Sequence, residues 1–395
     1  MATDFDRVVD RRPSGSIKWH LYAPDVLPLW VADMDFAAPE PIRAALRREV
    51  EHGIFGYEMP SRQLLETVAE RMQRLYGWQV SPDRILATPG VVSGFNAAAR
   101  VLCSDGSGIL VQPPVYPPFL HVHENVGARC QPAPLTLVAD GQRLSYSIDW
   151  DGFRAAFGSG GARTGMFLLC DPHNPTGQAY SPDELRRMAG ICLEQGAVLC
   201  ADEIHSELLL GSTRHLPAAS LAPEIAERSL TLVAPSKTFN VPGLFCGFAI
   251  VPEKELYEKY KKALEQMTLH VSSVGMAAAQ VAFSGACDGW LDELRAYLTG
   301  NRDFLVGYAA AHFPGIRLTV PEATYLAWLD CGELVRSGRI QGSPHKFFLE
   351  KAKVALNEGA DFGPGGENFV RLNFGCPRAT LVEAFERMRL ALEQG

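Results

Sequence analysis

Three short apolar runs, each followed by polar residues, constrain the fold of this chain more than any other sequence feature. They cover residues 166–170, 197–201 and 230–234, and runs of this length are typical of buried strands. Between the first two, Ser181-Pro182-Asp183-Glu184 is a helix-capping sequence, and Gly196 provides a stop for the helix. The order strand, helix, strand predicts a βαβ unit with parallel strands. The sequence therefore predicts an α/β fold.

Each of these predicted strands leads into a polar residue. The first leads into Asn174, the second into Asp202 and the third into Lys237. Because ligand sites in open α/β sheets lie beyond the carboxyl ends of the strands, we expect the three side chains to converge. A lysine that binds an aldehyde cofactor needs an acidic partner for the cofactor's ring nitrogen, and Asp202 is suited to that role. Each residue alone is typical of a surface or capping position, but their shared placement favours a pyridoxal phosphate site.

A further strand and helix are predicted to contribute a phosphate site. Residues 85–88 predict a strand, Pro89-Gly90 a turn, and residues 91–103 a helix. A helix that begins at Val91 directs unpaired backbone N–H groups and the positive end of its dipole outward, which favours a phosphate. This pattern is common in α/β proteins, so it gains weight only from the lysine downstream.

A series of short motifs is distributed over nearly the whole chain. In chain order they are Leu29-Trp30-Val31-Ala32-Asp33-Met34-Asp35-Phe36, Phe55-Gly56-Tyr57, Thr88-Pro89-Gly90-Val91-Val92, Pro113-Pro114-Val115-Tyr116, the segments around Asn174, Asp202 and Lys237, and Phe369-Val370-Arg371-Leu372-Asn373. With these motifs the chain resembles fold-type I pyridoxal-phosphate enzymes of the aspartate aminotransferase superfamily. Within that superfamily, it most resembles the MalY/PatB group of cystathionine β-lyases, which are C–S lyases.

The resemblance implies a pyridoxal-phosphate-dependent transferase-like fold, with a mostly parallel central sheet in a large domain and a smaller α/β domain. We expect residues 1–49 to form an N-terminal segment that contributes to the small domain. Residues 50–285 would form the large cofactor-binding domain, and residues 286–395 the small C-terminal domain. Apolar residues at helical spacing over residues 288–311 predict a long helix that bridges the two.

The resemblance also assigns roles around the cofactor ring. Lys237 would bind the cofactor covalently and shuttle a proton, and Asp202 would pair with the pyridine nitrogen. Asn174 would donate a hydrogen bond to the phenolic oxygen, and Tyr116 would stack on the ring. His205 occupies the place where the wider superfamily has a tyrosine near that oxygen, and a histidine there fits the β-lyase group.

Phosphate binding departs from the superfamily pattern. The arginine commonly found eight residues after the cofactor lysine is Phe245 here, which argues against a standard aspartate-type aminotransferase. The resemblance leaves this role to the backbone amides of Val91 and Val92, the Ser236 hydroxyl, and Tyr57 reaching across from a second subunit. A homodimer is therefore implied.

The resemblance places the substrate at Arg371, whose planar guanidinium suits the α-carboxylate. Tyr116 and the backbone of Asp33 would border the same subsite, and Tyr325 could face it. The implied reaction is β-elimination of cysteine S-conjugates such as cystathionine, which yields homocysteine, pyruvate and ammonia. The same residues would also serve an aminotransferase acting on a small amino acid. A regulatory protein that keeps the fold without turnover is a further alternative.

Composition limits the partners and the location. A net charge of -8 argues against nucleic-acid binding, which usually requires a basic surface. The nine cysteines are dispersed without metal-ligand spacing, so we expect reduced thiols and no metal site. The first residues lack the apolar stretch of a signal peptide, and no later run is long enough to span a membrane. These features predict a cytoplasmic enzyme that acts on a small molecule.

Overall fold

The computed structural model describes residues 3–394, and its largest sheet has seven strands. This sheet, called the large sheet below, is parallel except for strand Gly247–Ile250, which is antiparallel to both of its neighbours. Its strands lie side by side in the order Ile85–Thr88, Gly247–Ile250, Ser229–Val233, Val198–Asp202, Thr164–Cys170, Gly108–Val111 and Arg129–Pro132. The prediction of a mostly parallel sheet is confirmed.

The predicted βαβ unit is also confirmed. Strand Thr164–Cys170 pairs in parallel with Val198–Asp202, and helix Pro182–Glu194 connects the two. The capping box forms, because the Ser181 hydroxyl accepts the Glu184 N–H and the Glu184 carboxylate accepts the Ser181 N–H. Every residue of both strands is buried, as expected for parallel strands covered on both faces.

A second sheet has six strands and is mostly antiparallel. This small sheet has the strand order Asn357–Glu358, Phe369–Asn373, Leu326–Asp330, Arg317–Thr319, Arg143–Ser147 and Thr136–Asp140. A short parallel pair, Leu27–Pro28 with Val354–Ala355, joins the N-terminal segment to the C-terminal part of the chain. Two small-sheet strands come from within residues 50–285, and the division into domains stays a prediction.

Helices cover both faces of the large sheet. Alternate strand residues pack on opposite sides: Met166 contributes to the cluster that includes helix Val91–Cys103, and Phe167 to the cluster that includes helix Pro182–Glu194. The helices of the described chain are Ile17–His20, Glu40–His52, Arg62–Tyr76, Val91–Cys103, Pro117–His121, Trp150–Ala156, Pro182–Glu194, Pro223–Ala226, Pro235–Thr238, Lys254–Gln266, Ser273–Phe283, Asp288–His312, Gly332–Arg336, Pro344–Phe347 and Arg378–Gln394.

Two of these helices, Val91–Cys103 and Asp288–His312, were predicted from the sequence. Helix Val91–Cys103 begins at the predicted residue and lies close to the large sheet, because Gly94 has no side chain. A Cβ atom there would lie 2.7 Å from Leu232 Cδ2. The predicted long helix spans Asp288–His312 and packs apolar residues into the core beside the small sheet. Within residues 3–394, no helix is both long and apolar enough to cross a membrane.

Candidate active site

A cavity of about 430 Å³ lies beyond the carboxyl ends of the large-sheet strands. One wall comes from the N-terminal segment through Trp30, Val31 and Ala32. Most residues predicted to form the site line this cavity: Val91, Val92, Tyr116, Asn174, Asp202, His205, Ser236, Lys237 and Arg371. Parallel strands deliver these side chains to one edge, which explains why residues distant in sequence meet.

Lys237 lies on the one-turn helix Pro235–Thr238, directly after strand Ser229–Val233. Its Nζ atom donates a hydrogen bond to the Ala32 carbonyl at 2.6 Å. Burial, together with the nearby charge of Arg371, lowers the pKa of Lys237 to about 8. A neutral amine is therefore accessible near neutral pH, and only the neutral amine is a nucleophile or a base.

Asp202 ends its strand with the side chain directed into the cavity. Its register partner on the neighbouring strand, Cys170, lines the same cavity. The Asp202 carboxylate accepts the Ile204 N–H at 3.1 Å, and burial raises the pKa of Asp202 to about 7. A buried carboxylate in this state gains stability from a ligand that brings a positive charge or a proton donor.

Arg371 is 4% exposed, and each of its partners in the described chain is neutral. Its Nη1 donates to Asn174 Oδ1 at 2.9 Å, and its Nη2 donates to Asn357 Oδ1 at 2.6 Å and to the Trp30 carbonyl at 3.1 Å. Nε is buried without a hydrogen-bond partner in residues 3–394. Burial lowers the pKa of Arg371 to about 10. A buried guanidinium surrounded by neutral partners is suited to bind an anion.

Asn174 and His205 lie on the loops that follow strands Thr164–Cys170 and Val198–Asp202. Asn174 is buried, lines the cavity and accepts a hydrogen bond from Arg371 through its side-chain oxygen. His205 is also buried, and burial holds its pKa well below the ordinary range. The ring is therefore neutral, and its Nδ1 has no partner among the described residues. Such a ring can still accept or donate one hydrogen bond.

The start of helix Val91–Cys103 forms another part of the cavity wall. Val91 and Val92 line it with their helix N-terminus, and Ser236 lines it beside Lys237. Phe245 lines the same cavity and is 66% exposed, in the position where the superfamily has an arginine. The N–H groups of a helix start and a hydroxyl are suited to a phosphate without a strong cation.

Three predicted residues, Tyr57, Asp33 and Tyr325, do not line the cavity of this chain. Tyr57 is fully exposed on a stretch without helix or strand. Asp33 lies next to the cavity wall, and its carbonyl accepts hydrogen bonds from Lys18 Nζ at 3.0 Å and Asn373 Nδ2 at 2.7 Å. Tyr325 is buried behind that wall, where its hydroxyl donates to the Ala32 carbonyl at 2.9 Å.

Several residues that the sequence did not single out also line the cavity, among them Ser93, Asn357 and Phe362. Ser93 lies in the first turn of helix Val91–Cys103, and its position just after the Pro89-Gly90 turn is the signal that could have identified it. Asn357 and Phe362 flank Arg371, with the Phe362 ring centre 5.0 Å from the guanidinium carbon. No local pattern points to these two, because they belong to a two-residue strand and a single turn of 3-10 helix.

The fold and the cavity define an α/β protein with a lysine-centred ligand site beyond the carboxyl ends of a mostly parallel sheet. The family model for class I and II aminotransferases matches residues 24–388 of the chain. Cystathionine beta-lyase PatB of Bacillus subtilis is 38% identical over 395 residues, which cover 98% of this chain and 100% of PatB. The chain therefore belongs to the class I and II aminotransferase family, in the group that includes PatB.

Two other proteins show the same relationship. Protein MalY of Escherichia coli is 31% identical over 386 residues, which cover 96% of each chain. The crystal structure of cystalysin from Treponema denticola contains a pyridoxal 5'-phosphate cofactor, and it matches with a TM-score of 0.91 and 28% identity over 100% of both chains. The family resemblance inferred from the motifs and the transferase-like fold are both confirmed.

Proposed function

We propose that this protein binds pyridoxal phosphate on Lys237 and catalyses β-elimination of cysteine S-conjugates such as cystathionine. One observation carries the proposal: the half-buried amine of Lys237, the buried acid of Asp202 and the buried guanidinium of Arg371 line a single cavity. Relatives with this fold include cystathionine β-lyases. An amine suits the cofactor aldehyde, an acid suits its ring nitrogen, and a guanidinium suits the substrate carboxylate.

The residues that line the cavity fit this cofactor. Lys237 would hold the aldehyde carbon, and Asp202 the ring nitrogen. The unpartnered Nδ1 of His205 and the side chain of Asn174 would face the ring's phenolic oxygen. The groups that would hold the phosphate share the helix start and its neighbour: the backbone N–H groups of Val91 and Val92, and the hydroxyls of Ser93 and Ser236.

The chemistry divides among three side chains. When bound, pyridoxal phosphate withdraws electrons from the substrate α-carbon into its protonated ring. Asp202 keeps the proton on the ring nitrogen through its opposite charge, and Arg371 orients the substrate by its α-carboxylate. Lys237 Nζ would be a free amine once the substrate amino group has replaced it on the aldehyde carbon, and it would then take the α-proton.

The bonds that break and form account for all of the products. After the α-proton is removed, the Cβ–S bond breaks and the sulfur leaves with its electron pair as a thiolate, which is then protonated. Addition of one water molecule converts the remaining three-carbon fragment to pyruvate and ammonia. Cystathionine and water therefore give homocysteine, pyruvate and ammonia.

The homodimer and the cytoplasmic location belong to the same proposal. Tyr57 has a relative exposure of 105%, and Ile54, Phe55 and Met59 beside it are also exposed, which favours a surface covered by a second copy of the chain. In that dimer Tyr57 would reach the partner's phosphate site. The nine cysteines, all without disulfides, are typical of a reducing compartment.

The reaction is tested with protein saturated with pyridoxal phosphate and given cystathionine without any keto acid. We expect thiol and pyruvate in equal amounts, whereas an aminotransferase would require an added keto acid before any amino group is transferred. Borohydride reduction followed by peptide mapping should place the cofactor on the Lys237 peptide. Protein that stays colourless after addition of the cofactor would favour the regulatory alternative.

The dimer is tested by complementation between two inactive variants. Tyr57→Ala and Lys237→Ala chains are co-expressed with different tags, and the mixed species is purified. One of its two sites would combine a natural Tyr57 with a natural Lys237, so we expect activity well above that of either parent. Mixed species as inactive as the parents would mean that Tyr57 does not act across the interface, and an active Tyr57→Ala parent would place Tyr57 outside the site.

A further inference from the structure

A partly buried cluster of four charged residues, Arg11, Lys18, Asp33 and Asp35, lies next to the segment that contacts Lys237. Arg11 donates to Asp33 Oδ2 at 2.7 Å and to Asp35 Oδ1 at 2.8 Å. Lys18, which is fully buried, donates to Asp35 Oδ2 at 2.8 Å. Trp19 Nε1 adds a hydrogen bond to Asp35 Oδ1 at 3.0 Å. Two cations therefore face two carboxylates, and the formal charge of the cluster is zero.

The two carboxylates are not equally neutralised. Asp35 accepts hydrogen bonds from Lys18, Trp19 and Arg11. Asp33 Oδ1, in contrast, is buried without a donor in the described chain, and Lys18 Nζ lies 3.8 Å away. A carboxylate oxygen that lacks a hydrogen bond in a low-dielectric setting keeps more of its negative potential. That potential acts on the groups around Asp33.

Lys237 is one of those groups. Its Nζ atom lies 2.6 Å from the carbonyl oxygen of Ala32, the residue directly before Asp33. The charge of Asp33 favours the protonated amine, which opposes the effect of burial and of Arg371 on the pKa of Lys237. Asp202 acts in the same direction as Asp33.

We propose that Asp33, held in place by Arg11, is a positioning residue whose charge determines how tightly Lys237 holds its proton during the reaction. The inference rests on the proposed function for the role of Lys237. The ring nitrogen would offset the charge of Asp202, and the substrate carboxylate would offset that of Arg371. Asp33 keeps the same partners, Arg11 and Lys18, throughout. It is therefore the carboxylate whose influence on Lys237 persists through turnover.

A test must separate the effect of Asp33 on Lys237 from the effects of the other titratable and charged groups near these two residues. Asp33 is faced by Arg11 and Lys18 from the N-terminal segment and by the buried Tyr325 from the small-sheet side. The groups around Lys237 are Arg371, Asp33, Asp202, His205 and the Tyr325 hydroxyl that shares the Ala32 carbonyl. Removing one charge of the Arg11–Asp33 pair at a time changes the field without removing a group that lines the cavity.

The test uses the visible absorption of protein saturated with pyridoxal phosphate, titrated with acid and base. This band reports protonation at the Lys237 nitrogen and does not require turnover. Asp33→Asn removes an anion and should lower the pH midpoint, whereas Arg11→Gln removes a cation and should raise it, each by about 0.5 to 1 pH unit. The double variant, Asp33→Asn with Arg11→Gln, should have a midpoint close to that of the natural protein. Arg11→Lys keeps the charge and should also leave the midpoint unchanged.

A matched control separates charge from loss of structure. Arg317→Gln breaks the ion pair with Asp330 in the small sheet, away from the cavity, and should leave the midpoint unchanged. Shifts of Asp33→Asn and Arg11→Gln in the same direction, or no shift in either, would overturn the inference. If Asp33→Asn fails to fold, a raised midpoint in Arg11→Gln supports the inference and an unchanged one refutes it. Absence of the band in the natural protein would instead contradict the proposed function.

Discussion

Two buried arginines, Arg71 and Arg371, can be compared to test whether Arg371 serves stability or substrate binding. Arg71 is 0% exposed and Arg371 is 4% exposed, so burial is nearly equal. Arg71 pairs with the carboxylates of Glu207 and Asp288, whereas the partners of Arg371 are neutral. We expect Arg71→Met to destabilise the cofactor-free protein strongly and Arg371→Met to destabilise it less.

The size of the difference in stability between the two variants follows from the charges that each substitution leaves unpaired. Burial lowers the pKa of Arg371 to about 10, and at about 1.4 kcal/mol per pKa unit, keeping it charged costs about 3 kcal/mol. Its three hydrogen bonds come from a charged donor and contribute about 1.5 kcal/mol each at the low end of the usual range, so Arg371→Met should cost only about 1–2 kcal/mol. Arg71→Met leaves the carboxylate of Glu207 buried and unpaired, which costs about 3–5 kcal/mol. The two variants should therefore differ by about 2 kcal/mol.

Urea unfolding of the cofactor-free protein, followed by tryptophan fluorescence, measures this difference. Comparable urea slopes for the variants and the natural protein are required before the midpoints are compared. With cofactor restored, Arg371→Met should lower kcat/KM for cystathionine at least about 100-fold, because the carboxylate loses a charged two-pronged partner. A loss of stability in Arg371→Met as large as that in Arg71→Met would refute the reasoning, since Arg371 would then be a structural residue.

Three further outcomes are expected from residues of the cavity. The raised pKa of Asp202 stabilises the cofactor-free protein fully below the ordinary carboxyl pKa of 3.8 and loses this contribution as the pH rises through about 7. Asp202→Asn should therefore flatten the fall in urea midpoint over that range, and an unaltered profile would count against a buried, isolated carboxylate. Phe245→Arg should tighten pyridoxal phosphate binding about tenfold in equilibrium dialysis, since it adds a cation at the phosphate end; unchanged or weaker binding would contradict that placement. Asn357→Ala should raise KM for cystathionine more than it lowers kcat, because Arg371 loses a partner at 2.6 Å; a change confined to kcat would argue otherwise.

Local sequence patterns predict much of the fold, because helix caps and buried strands depend on interactions between residues close together in the chain. The capping box at Ser181 and the apolar runs fixed a βαβ unit, and parallel strands place their carboxyl ends on one edge. Asn174, Asp202 and Lys237 could therefore be grouped before any coordinates were known. The pairing of residues 136–147 with the strands beyond residue 317 had no such signal, since long-range register is not encoded in any short window.

The same limit applies to the contacts that orient the site. Arg371 could be assigned to the substrate from its motif, but its contact with Asn357 arises from antiparallel pairing of two strands. The contacts of Arg11 with Asp33 and Asp35 depend on how the N-terminal segment folds back on itself. An arginine more than twenty residues from its partner follows no helical or strand spacing, so only the folded chain reveals these pairs.

Asp202 and Arg371 also show what the cavity is built to receive. Each is buried, each has a pKa moved towards its neutral form, and the two do not pair with each other even though they line one cavity. Pairing them would relieve both desolvation penalties, so keeping them apart lowers stability in exchange for binding. A ligand with a ring nitrogen at one end and a carboxylate at the other relieves both at once. Under the proposed function, this charge pattern would favour a cofactor joined to an amino acid, which neither residue alone would specify.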